Sequence, residues 1–375
     1  MKEGWEVKKL GEVCEVLDSL RKPVTKKDRR EGIYPYYGAS GIQDYVDSYI
    51  FDGRYLLVGE DGAKWGASDK SAYIIEGKSW VNNHAHILKV NSIINDKLLE
   101  YYLVFKDLSE YITGAIVPKL TQQALRSIPI PIPPLPEQSR IVEELDLLSN
   151  IIEKKCQQLS ELDNLAQSIF YDMFGDPVTN EKGWEVITLG DKCDVTSFKR
   201  VLIEEVVNEG IPFIRGTELM ALSKGENVDF TLFITDEHYA RVKAISGVPK
   251  VGDLLIPSIN ADARIWILNT DKPMYYKDGR VLWVHVDEKS YASECLKYIM
   301  HELIKSSYSS VASGATFAEL KLFVLRELKT ILPPLSLQQL FAKKIEAIEK
   351  EKELIKQSIA ETEELFNSRM DYYFS

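Results

Sequence analysis

One stretch of this chain occurs twice. PPLPEQSRIVEELDLLSNIIEKKCQQLSELDNLAQSIFYDMF runs from Pro133 to Phe174, and PPLSLQQLFAKKIEAIEKEKELIKQSIAETEELFNSRMDYYF from Pro333 to Phe374. Matching residues keep one constant shift: Pro134 and Pro334, Gln138 and Gln338, Leu165 and Leu365, Phe174 and Phe374. A fixed internal shift dictates architecture before any local propensity does. Each copy opens on prolines that fix the entry of the chain, which predicts one long helix per copy. Ile141, Leu145, Leu148, Ile152, Leu159, Leu162 and Ile169 fall on alternating steps of three and four, with Lys155 as a polar exception. Phe341, Ile345, Ile348, Ile355, Ile359 and Phe366 take the same slots in the second copy, where Lys352, Thr362 and Arg369 are polar. So narrow an apolar seam is the pattern of a coiled-coil pair, and the two helices are expected to bury their seams on each other.

A second repeat precedes the helices. Gly4-Trp5-Glu6-Val7 with Leu10-Gly11 and Cys14 returns as Gly183-Trp184-Glu185-Val186 with Leu189-Gly190 and Cys193. The segment between opener and helix is longer in the second half, and the middles do not match. The plan is opener, variable globular part, helix, then the same again. Domain boundaries are expected at 1–132, 133–175, 176–332 and 333–375. The loop at Ser313-Gly314-Ala315-Thr316 is expected to mirror Thr113-Gly114-Ala115-Ile116.

Apolar residues make up 45% and charged residues 27% of the chain, enough for a sizeable core. No apolar run approaches the length of a membrane span, and nothing at the N-terminus reads as a signal peptide. Cys14, Cys156, Cys193 and Cys295 have no CxxC spacing and read as free thiols of a reducing cytoplasm. The net charge of -11 weighs against a nucleic-acid partner until it is divided. The two helical stretches, with about nine basic and sixteen acidic residues, hold most of the deficit. Where positive charge clusters matters more than the sum.

The densest positive run is RKPVTKKDRR, with Arg21, Lys22, Lys26, Lys27, Arg29 and Arg30. A charge run is ordinarily a solvated loop. Here Tyr34, Tyr36, Tyr37, Tyr45 and Tyr49 follow around Gly38-Ala39-Ser40-Gly41, and basic residues beside aromatics and small polar groups suit phosphate contacts next to base contacts. Tyr36, Tyr37, Ser40 and Lys64 join the DNA-binding candidates. In the second half the candidates are Lys199, Arg200, Arg215, Asn260 and Arg264. Strand-like runs at Ile50-Phe51, Tyr55 to Val58, Ala72 to Ile75 and Ala85 to Leu88 are expected to be separated by turns at Asp52-Gly53, Asp61-Gly62 and Glu76-Gly77. His84 and His86 form an HxH pair, but no acid or cysteine at ligand-like spacing completes a metal site, so a structural role is expected.

No phosphate-binding loop, dinucleotide fingerprint or nucleophile elbow is present, and neither is the Asn-Pro-Pro-Tyr or Asp-Pro-Pro-Tyr motif of adenine methyltransferases. Glu60-Asp61-Gly62-Ala63-Lys64 reads as a turn rather than a nuclease motif. No catalytic residue is assigned.

The duplicated opener, the duplicated Pro-Pro-Leu-x-x-Gln closer before a long helix, and the stretch from Arg21 through YLLVGEDGA and WVNNHAHIL make the chain resemble, over nearly its full length, the specificity subunit of type I restriction-modification systems (HsdS). The resemblance implies an α+β fold: two globular α/β target recognition domains with mixed or antiparallel sheet, separated by two long antiparallel coiled-coil helices in a pseudo-twofold repeat. It implies that each domain reads half of an asymmetric bipartite target in double-stranded DNA, while the helices set the gap. Two modification subunits (HsdM) are expected to dock, and restriction subunits (HsdR) to join them. The chain itself is expected to be non-catalytic and cofactor-free, with S-adenosylmethionine, ATP and Mg on the partners and no membrane association. A non-DNA coiled-coil adaptor and a self-sufficient methyltransferase or nuclease are the competing readings. Ser336-Leu337-Gln338 replaces Pro136-Glu137-Gln138 in the second closer and loses an acid, which predicts a less firmly fixed helix start there.

Overall fold

The computed structural model describes residues 4–114, 116–311 and 319–375, with no side-chain description for 308–311. The Ser313–Thr316 loop and Ala115 lie outside the described residues. Both duplicated stretches form single helices of 40 residues, Leu135–Phe174 and Leu335–Phe374. The second helix starts at the same slot as the first, despite its missing acid. Gln338 is the reason. Its side chain is buried, donates to the Ser290 and Pro333 carbonyls at 3.0 and 2.8 Å, and accepts from the Ala292 amide at 3.0 Å.

The chain divides into two compact units, one of residues 1–157 with 356–375 and the other of residues 158–355. Each therefore contains one globular part and a half of either long helix.

In the first unit, opener strand Glu6–Lys9 pairs antiparallel with Pro129–Ile132, and the prolines that follow deliver the chain to the helix. A six-stranded sheet has the order Cys14–Val16, Ala85–Val90, Phe51–Gly59, Ala72–Val81, Glu31–Gly38, Gly41–Val46. Its pairings are antiparallel except that of Glu31–Gly38 with Ala72–Val81. Asp52-Gly53 and Glu76-Gly77 are not turns. The strands run through them, and Gly53 faces Gly77 in the ladder, at φ +152° and +82°. Facing glycines let a long hairpin bend without breaking its pairing. Beneath the sheet, Leu10, Val13, Leu125 and Ile130 pack with Ile141 and Leu145 of the first long helix and Met370 and Tyr373 of the second. Tyr101 and Tyr102, on helix Asp96–Phe105, meet Phe366 and Phe374 edge-on.

The second unit repeats this frame around a different interior. Glu185–Thr188 pairs with Lys329–Leu332 as its counterpart does. Gly190 packs where Gly11 does: a Cβ on Gly11 would meet the Arg126 side chain at 3.0 Å, and one on Gly190 the Arg326 carbonyl at 3.1 Å. In place of one broad sheet stand a four-stranded sheet (Asp194–Ser197, Val281–His285, Leu254–Pro257, Trp266–Ile267) and a three-stranded one (Phe233–Ile234, Ile211–Ile214, Tyr275–Tyr276). Helices Gly216–Ser223 and Asp236–Ser246 accompany them. Phe170, Phe174, Phe341 and Tyr298 form an aromatic cluster that joins both long helices to helix Ser293–Val311.

Within each unit the long helices run antiparallel. Glu144 meets Arg369 and Tyr373, and Lys155 meets Ser358 and Thr362 in the first; Asp163 meets Lys352, and Phe170 meets Phe341 in the second. Of the expected seam, Ile141, Leu145, Leu148, Phe341, Ile345 and Ile348 are buried, whereas Ile152, Leu159, Leu162, Ile169, Ile355, Ile359 and Phe366 are half-buried. The buried set lies where a globular part adds a third layer; two helices alone cover one flank of each seam residue. Lys155 fits its slot because the partner helix supplies the Ser358 carbonyl at 3.0 Å and the Ser358 and Thr362 hydroxyls at 2.6 and 2.9 Å.

Candidate nucleic-acid interface

The basic run divides into buried and exposed members. Arg21 turns inward. Its guanidinium donates to Glu60 at 2.5 Å and to the Ala85 carbonyl at 2.6 Å, and lies 3.4 Å from Asp18. Lys119 reaches the other oxygen of Glu60 at 2.6 Å. His86, fully buried, sets Nδ1 against Asp18 at 2.6 Å and donates from Nε2 to the Leu120 carbonyl at 2.8 Å. Burial opposes a charge on Asp18, but the His86 hydrogen bond and the charges of His86 and Arg21 outweigh it and hold the carboxyl below its ordinary range. Asp18, Glu60 and His86 place donor atoms within 4.8 Å of one another, a set that could hold a metal ion by type. Arg21 and Lys119 already supply the positive charge such an ion would bring, so the cluster is a closed ion-pair network. The structural role expected for His86 is the one its contacts describe. His84 is half-exposed and bonds Asp61.

Arg29 is also engaged. It lies 4.2 Å above the Tyr36 ring, donates to the Val24 carbonyl at 3.2 Å, and pairs with Asp44 at 3.1 Å. Tyr36 is 1% exposed and its hydroxyl bonds the Val24 backbone, so both residues brace the loop. The Trp80 indole donates to the Lys22 carbonyl at 2.6 Å and ties the run to the sheet. The side chains left facing solvent are Lys22, Lys26, Lys27 and Arg30, none of which forms an ion pair among the described residues. Ser40 and Lys64 are exposed too, and Tyr37 is half-buried. A braced loop carrying four unpaired cations, beside the exposed rings of Tyr45 and Tyr49, can contact phosphates and base edges.

In the second unit Lys199 and Arg200 are exposed, and the Tyr275 hydroxyl accepts from the Lys199 amide at 2.9 Å. Arg215 caps its own helix through Glu218, donating from Nε at 3.0 Å. Burial would raise the Glu218 carboxyl, but hydrogen bonds from Arg215 and Thr217 draw it down to about 2. Asn260 is buried and closes the 260–264 loop on the Arg264 amide and carbonyl at 2.6 and 2.7 Å, leaving the Arg264 side chain exposed. Lys199, Arg200 and Arg264 are the members free to meet a ligand. The roles of Glu60 and Asp18 had no local signal, since His86 and Asp18 stand 68 residues apart.

Comparison with known proteins follows the repeat in the sequence. The model of the type I restriction modification DNA specificity domain matches residues 2–164 and again 181–364. A putative type I restriction enzyme specificity subunit of Haemophilus influenzae is 32% identical over 99% of this chain and 95% of its own length. The MjaVIII specificity subunit of Methanocaldococcus jannaschii is 25% identical over 95% of this chain and 90% of its own. The crystal structure of the type I restriction-modification S subunit from M. genitalium shares the fold, with TM-score 0.58 and 14% identity over 98% of this chain and 95% of that one.

Proposed function

The chain belongs to the type I restriction-modification specificity family, and from that premise we propose that it supplies the DNA address of such a complex while its partners supply the chemistry. The observation that carries this reading is one frame used twice around unlike interiors. Strand pair, packed glycine and buried glutamine recur, yet one half holds a six-stranded sheet and the other two smaller sheets. Unlike interiors on a common frame suit two different half-sites, hence an asymmetric bipartite target. Half-sites one duplex turn apart lie about 34 Å from each other. A helix of 40 residues, roughly 60 Å long, holds such a spacing more sharply than a flexible linker would.

Two modification subunits dock on the helices, in this reading. Leu165 and Leu365, equivalent in the repeat, are 47% and 50% exposed, and Leu147 and Leu354 add further uncovered apolar surface. The partners bring S-adenosylmethionine and take the target adenine out of the stack; restriction subunits, where they join, bring ATP and Mg. No described helix is long and apolar enough to cross a membrane.

The test is selection of duplexes from a random pool by the assembled complex and by the modification subunit alone. A bipartite motif enriched only when this chain is present is the expected result; enrichment of the same motif without it would overturn the assignment.

A further inference from the structure

The second unit lacks a counterpart to the basic run, yet it gathers cations elsewhere. Lys243 stands on helix Asp236–Ser246, Lys250 in the loop after it, and Lys272 between strands Trp266–Ile267 and Tyr275–Tyr276. All three line one open cavity of ≈ 190 Å³, with Tyr239 and Tyr276 in its wall. Their side chains are exposed, and none forms an ion pair among the described residues. The Lys243 ammonium lies 5.9 Å from the centre of the Tyr239 ring. Asp271 is the one carboxylate of the lining.

We propose that this cavity is a phosphate site for the DNA backbone, contributed by Lys243, Lys250 and Lys272. Three ammonium groups around one hollow, set against the single carboxylate of Asp271 in a chain of net charge -11, are a local excess that an anion relieves. An apolar ligand would leave those charges unmet, and the hollow is too small to enclose a large organic molecule. Tyr276 is buried, and burial holds its phenol protonated, so it adds no negative charge to the wall. Phosphate contacts fix register and orientation without reading sequence. The site would therefore anchor the second recognition domain on its half-site, as Lys22, Lys26, Lys27 and Arg30 anchor the first. The inference rests on the specificity reading above.

The experiment compares the K243A/K250A/K272A chain with wild type, both assembled with modification subunits, for affinity to the target duplex at several salt concentrations. Each phosphate contact contributes a slope of about 0.9 in log K against log salt, so the alanine variant should lose about 2–3 from the slope. Its methylated sequence should stay unchanged. K243R/K250R/K272R keeps the charge and should keep the wild-type slope; loss in both variants would reveal a packing role and overturn the site. An unchanged slope in the alanine variant would overturn the site while leaving the specificity reading intact. A wild-type complex that does not discriminate among duplexes would overturn the reading and the site together.

Discussion

Gln138 and Gln338 make the same bonds in the two halves of the chain. Gln138 donates to the Ile93 and Pro133 carbonyls at 3.0 and 2.8 Å and accepts from the Asn95 amide at 2.7 Å; Gln338 does so with Ser290, Pro333 and Ala292. Each glutamine satisfies buried backbone groups of the turn before it and of the loop ahead of a shorter helix. Truncation to alanine would leave those groups unpaired, at about 1–3 kcal/mol. Gln138→Ala and Gln338→Ala should each lower stability by that amount in urea denaturation. A loss below about 0.5 kcal/mol in both would show that water replaces the side chain without penalty.

Arg21 and its neighbours in the basic run should separate cleanly. Arg21→Ala would strip Asp18 and Glu60 of their shared cation, and removing one partner of a buried ion pair costs about 3–5 kcal/mol, an upper bound here because Lys119 remains on Glu60. The expected result is a large stability loss in denaturant titration. Joint replacement of Lys22, Lys26, Lys27 and Arg30 by alanine should leave stability within about 0.5 kcal/mol and flatten the salt dependence of duplex binding by the assembled complex. The reverse pattern would place the DNA contact at Arg21.

Glu218 sets a pH window. Its carboxyl is drawn down to about 2 in the folded chain from an ordinary value of 4.5. A depressed carboxyl contributes stability that is present above its unfolded value and lost as the pH falls toward the folded one. The helix Gly216–Ser223 should therefore loosen as pH falls from about 4.5 toward 2. A carbon-13 NMR titration should find Glu218 well below the ordinary carboxylate range in wild type and closer to it in Arg215→Ala, where the Thr217 hydroxyl and the backbone amide of residue 215 still hold the carboxyl down in part. Equal midpoints in the two proteins would remove Arg215 as a cause.

The helices should act as a ruler. Inserting four residues after Ile152 and four at the facing position after Glu363 lengthens the pair by about 6 Å. At 34 Å per ten base pairs, the unspecified gap of the target should grow by about two base pairs. Methylation assays on duplexes with graded gaps measure this, and an unchanged gap preference would assign the spacing to another element.

What could be read from the residues, and what could not, follows the range of the interactions. The long helices were legible because heptad spacing and the absence of glycine are local properties. Lys155 stood out as a polar exception, but its partners Ser358 and Thr362 come from the other helix. Gly53 and Gly77 read as turns because a glycine facing another across a ladder looks, in one dimension, like a turn glycine. The run from Arg21 to Arg30 read as uniformly basic surface, while the fold takes Arg21 and Arg29 out of it through Glu60 and Asp44. Lys243, Lys250 and Lys272 carried no signal, being brought to one cavity by separate elements.

The central claim is that this chain chooses the sequence and its partners carry out the reaction. The most direct measurement maps methylated adenines across a genome whose only modification genes are this chain and its modification subunit. The account predicts methylation at one asymmetric, two-part motif with a fixed unspecified gap, abolished when this chain is deleted. A continuous or palindromic motif, or methylation that persists without this chain, would contradict it.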